Sequence, residues 1–355
     1  EVAFLKFDRP IAHLTDIGNR KVIGGEISGK IEVVNNRKTS SRDDDLFIFI
    51  PQGPLYYLES KQLVWTQDAI HLTDNQSKPR PTEIHGQGME MELLTNNAKP
   101  VGPPASKPKS DSIAGVKRIK LLSNVDMHLY VDNGSSFLGA TQTKAEAANS
   151  REKAHIGIKT LGTFEYLLQK EGDVALFDAC IQPGTPVRDV LVTRHHVGKS
   201  QIDQLTCEKL EIKMRRKDST GPEAGLEKEE KSLQSGIDIQ SARATGKEVV
   251  LTSDEEKLEA HGNDFYYEAK TSTAILKGTP EMWALKEGNL LHALEMSIQD
   301  HKADPKTPGA KGFQKAVAKG PGWIDIKEKD KKDQKPVRAS WKDQLISNRE
   351  DNMDV

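Results

Sequence analysis

Residues able to do chemistry are few in this sequence, and their spacing does not assemble a reaction centre. Cys180 and Cys207 are the only two cysteines, and neither has a CxxC partner of the kind a structural zinc site uses. Both fall on predicted strands. They could pair in an oxidising compartment if those strands are neighbours, but alternating strand faces make the required geometry a coincidence, so they read as two small buried residues that do not bond. The 10 histidines form no ligand-spaced cluster along the chain. His195-His196 sits between a predicted strand and Gly198, with no Ser, Cys or Asp linked to it by a motif, and reads as an exposed turn pair. Asp43-Asp44-Asp45 invites a calcium reading but lacks the alternating spacing of a cation-wrapping loop. No Gly-rich phosphate cradle precedes a helix, and there is no GxSxG elbow. Scattered carboxylates would permit a glycosidase, yet none can be paired from sequence. The expectation is a non-catalytic protein without metal or cofactor.

The elements that would have to position such residues are strands. The stretch 243–298 is a ladder of short alternating segments with turn residues between them: Ser253-Asp254, Gly262-Asn263, Gly278-Thr279-Pro280 and Gly288-Asn289. Val249 and Leu251 share one face of the first segment, and Phe265 and Tyr267 share one face of the next. In the last, Leu290, His292, Leu294, Met296 and Ile298 fall on one face by a period of two, which points that face into an apolar interior. Earlier segments repeat the pattern at 4–7, 29–34, 46–50, 55–58, 63–66, 69–74 and 84–93, then at 119–122, 127–131, 156–158, 162–168, 174–181, 190–192 and 210–214. Met89, Met91 and Leu93 alternate with Glu90 and Glu92, and Leu210, Ile212 and Met214 alternate with Glu211 and Lys213. Residues 143–148 alone have a helical composition.

The divisions follow composition. Residues 1–94 form a first β module, 95–114 a Pro- and Lys-rich linker, and 115–215 a second module. Then come a charged linker (216–235), a third module (236–326), and a turn with the start of a further unit (327–355). The fold class is all-β, an elongated stack of antiparallel modules with long charged loops. Apolar residues make up 35% and charged residues 29% of the 355, which suits thin two-layer modules better than one thick globule. With 51 basic and 53 acidic residues well mixed, net charge −2, there is no basic field to recruit nucleic acid. No apolar run reaches the roughly 18 residues of a membrane-crossing helix. The chain reads as an excerpt of a longer protein.

Three windows align without a gap: 84–91 (IHGQGMEM), 205–212 (LTCEKLEI) and 260–267 (AHGNDFYY). Each has an apolar residue, a small one two later, an apolar one three beyond that, and another after two more. The odd step shifts the period-two phase once, as a bulge or tight corner does. Each follows a similar strand, at 70–73, 190–193 and 249–252. Units that bury one face only by stacking imply one continuous interior.

The pattern A-T-G-x-x-V-x-L, then L-x-A-x-G-x-x-F-x-Y, then L-x-G-x-P and L-x-A-x-x-x-x-I in 244–298 resembles the organic-solvent-tolerance (OstA-like) β-jellyroll or β-taco modules of lipopolysaccharide transport. The resemblance covers 236–326 best, 60–94 and 160–215 less well, and 1–50 weakly. It implies two antiparallel sheets around an apolar groove that shields lipid acyl chains, modules stacked edge to edge, a place in the periplasm or cell envelope, and a role in outer-membrane biogenesis. It carries over no catalytic residues. Candidates for the groove lining are Met89, Met91, Leu210, Ile212, Met214, Val249, Leu251, Phe265, Tyr267, Leu294, Met296 and Ile298. The methionines are included because flexible thioethers suit irregular acyl chains. The same alternation would serve a structural envelope scaffold with a closed core, and a carbohydrate-active β-stack is the third reading, which an aromatic content of 5% disfavours.

Overall fold

The computed structural model describes residues 2–11, 13, 20–35, 42–43, 45–75, 80–95, 113–132, 153–169, 172–184, 186–195, 200–215, 238–301, 313–327 and 336–350. These residues are almost all strand. In the first half run β1 (Val2–Phe7), β2 (Val22–Ser28), β3 (Ile31–Asn35), β4 (Leu46–Ile50), β5 (Leu55–Leu58), β6 (Leu63–Asp74), β7 (Thr82–Thr95), β8 (Ile113–Asp132), β9 (Lys153–Thr160), β10 (Phe164–Leu167) and β11 (Asp173–Asp178). In the second run β12 (Val190–His195), β13 (Ile202–Cys207), β14 (Lys209–Arg215), β15 (Asp238–Ser253), β16 (Leu258–Glu268), β17 (Thr273–Lys286), β18 (Asn289–His301), β19 (Phe313–Lys319), β20 (Gly322–Ile326), β21 (Val337–Trp341) and β22 (Gln344–Glu350). The helix-like composition at 143–148, the charge run at 328–335 and most of both linkers lie outside the described residues.

Every pairing is antiparallel, and the pairings separate into two layers. One layer runs β1, β2, β5, then the halves of β6, β7 and β8 nearest it, then β10, β11, β14, one half each of β15 to β18, and finally β19 and β22. The other runs β3, β4, the remaining halves of β6 to β8, β9, β12, β13, the remaining halves of β15 to β18, β20 and β21. In the middle, β8, β9, β12, β13, β15, β14, β11 and β10 pair in turn and return to β8, closing a barrel-like ring.

The long strands cross between layers along one fold line, and the crossing has a sequence cause. Register breaks fall between Thr66 and Ala69 in β6, Thr245 and Val249 in β15, His261 and Asp264 in β16, and Lys277 and Met282 in β17. A skipped residue there flips the side-chain phase, so one strand can bury its inner face in both layers. The three windows all sit on this line. Ile84 and Gly86 face inward in one layer, and Met89 and Met91 in the other. Leu205 and Cys207 precede Leu210 and Ile212 in the same way, as Ala260 and Gly262 precede Phe265 and Tyr267. The cis peptides Gly53–Pro54, Thr279–Pro280 and Gly320–Pro321 lie on the same line. So does Gly162, where an added Cβ would collide with the Asp178 and Ala179 carbonyls. At the opposite rim the strands end in turns such as Glu287-Gly288. Both residues there have positive φ, which the mirror-image two-residue hairpin turn requires.

The interior is continuous. In one layer the inward row reads Leu72, Ile84, Met127, Ile158, Val192, Leu205, Leu251, Ala260, Ala284 and Leu291 across successive strands. In the other it reads Met89, Leu121, Phe164, Phe177, Leu210, Ala244, Phe265, Leu276, Met296 and Ala318. Buried residues from Ile31 to Ala318 form one cluster. The boundaries expected at 95–114 and 216–235 therefore join strands that pair directly, β7 with β8 and β14 with β15.

Candidate ligand cleft between the sheets

Between the layers, over the middle of the stack, lies a cavity of about 450 Å³. One wall is built by Ile119 and Leu121 of β8, Phe164 and Tyr166 of β10, Ala175 and Phe177 of β11, Ile212 and Met214 of β14, and Ile239 of β15. The facing wall is Leu46 of β4, Ile70 and Leu72 of β6, Ile84 of β7, Met127 and Leu129 of β8, and Ile156 and Ile158 of β9. These positions line it because each belongs to the inward set of its strand. Alternation sends Lys120, Glu165, Leu176 and Glu211 to the outside of the first wall, and His71, Asp126, Gly157 and Lys159 to the outside of the second.

The floor is near the fold line, where Leu121, Phe177, Ile156 and Ile158 are almost fully buried and the Phe164 and Phe177 rings meet with centroids 4.8 Å apart. Polar groups are confined to the rim. Asp74 and Thr82 face each other across the β6–β7 ladder, and the Tyr166 hydroxyl donates to Asp173 Oδ2 at 2.8 Å. Among the described residues the lining offers a single carboxylate, Asp74, where glycoside hydrolysis needs two. An apolar enclosure with polar groups at its rim can solvate an apolar chain while leaving a polar end in water. Its volume lies within the roughly 300–1,000 Å³ of small-molecule sites.

Of the groove candidates, Ile212 and Met214 line this cavity. Met89 (2% exposed) and Leu210 (0%) are packed into the core beside it, and Met91 is half-buried against the same core. Val249, Leu251, Phe265 and Tyr267 face the interior as expected, at 0–7% exposure, but in a stretch where they pack on one another's layers and not on this cavity. Met296 packs against the core and Ile298 is half-buried. Leu294 does not join them. It is 40% exposed, because β18 also crosses the fold line. Leu291 and Ala293 face inward before the crossing and Met296 and Ile298 after it, so the unbroken period of two read over 290–298 does not hold. The window rule found at 84–91, 205–212 and 260–267 fits 291–298 equally well and would have excluded Leu294. The lining from Ile119 to Ile158 was missed because its residues come from strands whose sequences carry no distinctive composition. The signal lies in their shared row.

The two cysteines are free, Cys207 fully buried and Cys180 just beyond β11 in a bridge to Arg188, not within a strand. Burial, with the Asp189 carboxylate nearby, pushes the Cys207 thiol up to about 12. Of the acid triplet, Asp45 is buried and Asp44 lies outside the described residues. His195 is exposed at the end of β12 and stacks on His155 at 5.4 Å. The absence of a histidine cluster needs correcting: strand pairing brings together side chains distant in sequence, and His71, Glu83 and His85 converge on the outer face of β6 and β7. Farther along that face His261 stacks on Trp283 at 4.0 Å, His292 on Trp323 at 4.2 Å, and the Arg338 guanidinium lies 3.9 Å over Trp323. These rings spend their faces on each other and do not make an open platform for a sugar. Among the described residues no helix is long and apolar enough to cross a membrane.

Comparison of the chain with protein-family models, with curated proteins and with solved structures yields no match.

Proposed function

We propose that this protein is a non-catalytic lipid-binding or lipid-bridging protein of the periplasm or cell envelope, holding acyl chains, such as those of a lipopolysaccharide, between its two sheets. The observation that carries this reading is the cleft itself. It is roomy and apolar from floor to wall, and its polar groups are held at the rim. A chain entering it leaves water at about 0.8 kcal/mol per methylene, so a handful of methylenes gives useful affinity. The resemblance of 236–326 to the lipopolysaccharide-transport modules supports the choice of lipid over other apolar ligands. It also supports reading the fold-line windows as repeated units. End strands β1, β3, β21 and β22 each pair on one side only among the described residues, which suits modules joined edge to edge.

The second reading, an envelope scaffold with a closed interior, draws on the tight packing of Val249, Phe265 and Tyr267. One experiment separates the two. The protein is purified from its expressing cells without detergent and extracted with organic solvent, and the extract is analysed by mass spectrometry beside a titration with a fluorescent acyl probe. Stoichiometric lipid, or saturable probe binding displaced by lipid, is expected. An empty extract together with no probe binding would leave the scaffold.

A further inference from the structure

The outer face of the layer that contains β6 and β7 carries a cluster the cleft does not use. His71 on β6 and His85 on β7 stand directly opposite each other in the ladder, and their rings stack with centroids 4.1 Å apart. Glu83 lies on the same face two residues before His85, its carboxylate 3.9 Å from His85 Nε2. One ligand atom from each of the three falls within 4.8 Å of the others. The Thr73 hydroxyl lies 3.2 Å from His71 Nε2. We infer that His71, His85 and Glu83 form a binding site for one divalent transition-metal ion of the zinc, copper or nickel class.

The donor set selects that class. Two imidazole nitrogens with one carboxylate oxygen suit borderline transition metals, whereas calcium and magnesium take oxygen shells. Metal–nitrogen and metal–oxygen bonds near 2.1 Å put donors on a shared ion about 3–3.5 Å apart. The present spacing closes to that by turning the rings, without moving either strand, because imidazole χ2 is a soft torsion. Thr73 occupies the position from which an outer-shell hydroxyl orients a ligating ring. The side chains of His85 and Glu83 are 45% and 44% exposed, so an ion reaches them from solvent without opening the sheet. Three protein donors leave at least one coordination position for water or for a donor from another molecule.

A rival lies on the same face. His128 Nδ1 and His155 Nε2 are 3.1 Å apart, and His155 stacks on His195. Those nitrogens satisfy each other and do not converge on an empty point, so this group is the natural control. The test uses the full chain, free of any affinity tag and stripped with a chelator, titrated with zinc alone by calorimetry at neutral pH. One ion per chain is expected. Because loss of even an outer-shell partner weakens metal sites about 10–100-fold, H71A and H85A should each weaken zinc by about a hundredfold or more, while the double variant H128A/H155A binds as the parent does. Zinc-edge X-ray absorption on the unmodified protein asks the same question without a variant, and a shell with two imidazoles is expected. The inference is overturned if the parent binds no zinc, if H71A and H85A bind like the parent, if H128A/H155A is the variant that loses the ion, or if the shell contains no imidazole pair.

Discussion

Replacing Ala175 by phenylalanine places a phenyl ring inside the cleft and distinguishes an open interior from a closed one. Ala175 is 5% exposed and lines the cavity between Tyr166 and Ile212, its neighbours in the inward row. A ring there displaces about six methylenes of a bound chain, which at about 0.8 kcal/mol each is up to about 5 kcal/mol, or some three decades of affinity. Stability responds differently. In a cavity of about 450 Å³ the new ring has room, and its burial contributes up to about 1.5–3 kcal/mol, offsetting whatever adjustment Tyr166 and Ile212 must make. The same substitution at Ala244, fully buried between Leu210 and Phe265 in the adjacent inward row but outside the cavity, has no such room and should cost about 1–3 kcal/mol or more. The assay is a pair of measurements on each variant: acyl-probe titration, and urea unfolding followed by circular dichroism. A175F is expected to keep its urea midpoint and lose the probe, and A244F to keep the probe and lose stability. Unchanged probe binding in A175F would refute the placement of ligand in this cleft. A stability loss in A175F as large as that in A244F would show that the cleft is closed in solution.

Three further outcomes follow from the packing. Gly162→Ala sets a Cβ against the Asp178 and Ala179 carbonyls at the fold line, where no side chain can yield; a loss of about 3 kcal/mol or more is expected in the same urea assay, and a neutral result would contradict the tight corner there. With its thiol pushed up to about 12, Cys207 should resist a thiol reagent at mildly alkaline pH until the protein is unfolded, so that native protein titrates at most one thiol, Cys180, and denatured protein two. His155 is held below its ordinary value of 6.5, first by burial and then by His128, His195 and Arg80. The unfolded chain therefore binds that proton more tightly than the native one. Stability from this group is present above pH 6.5 and is lost as pH falls toward the lower native value, and H155Q should flatten that part of a urea-midpoint-against-pH curve.

What could be read from sequence divides along a physical line. Strand identity is local: alternation at 84–93 or 260–267 is visible because each strand buries its own inner face, and the phase break at Gly86-Gln87-Gly88 or Gly262-Asn263-Asp264 is visible because the corner needs small or turn-forming residues at that point. The same local logic does not reach 290–298, where apolar residues on both faces hide the break, and a strict period of two points Leu294 inward although it is exposed. Three modules were expected because the polar linkers are obvious in composition, whereas the pairing of Glu92 with Arg118 across one linker and of Lys213 with Ser241 across the other is not. Residues that meet across a ladder carry no mutual sequence signature: His71 and His85 stand on different strands, and Ile119 and Ile158 line one cavity from opposite walls of β8 and β9. A site in such a fold is a property of a row, with one residue contributed per strand. Both the apolar cleft and the histidine cluster are rows of that kind, on opposite faces of the same β6–β7 pair: Leu72 and Ile84 point toward the cavity, and His71 and His85 point toward water. An ion bridging His71 to His85 would tie together the two strands that carry one wall of the cleft, so metal binding should raise the stability of that wall without entering the cavity.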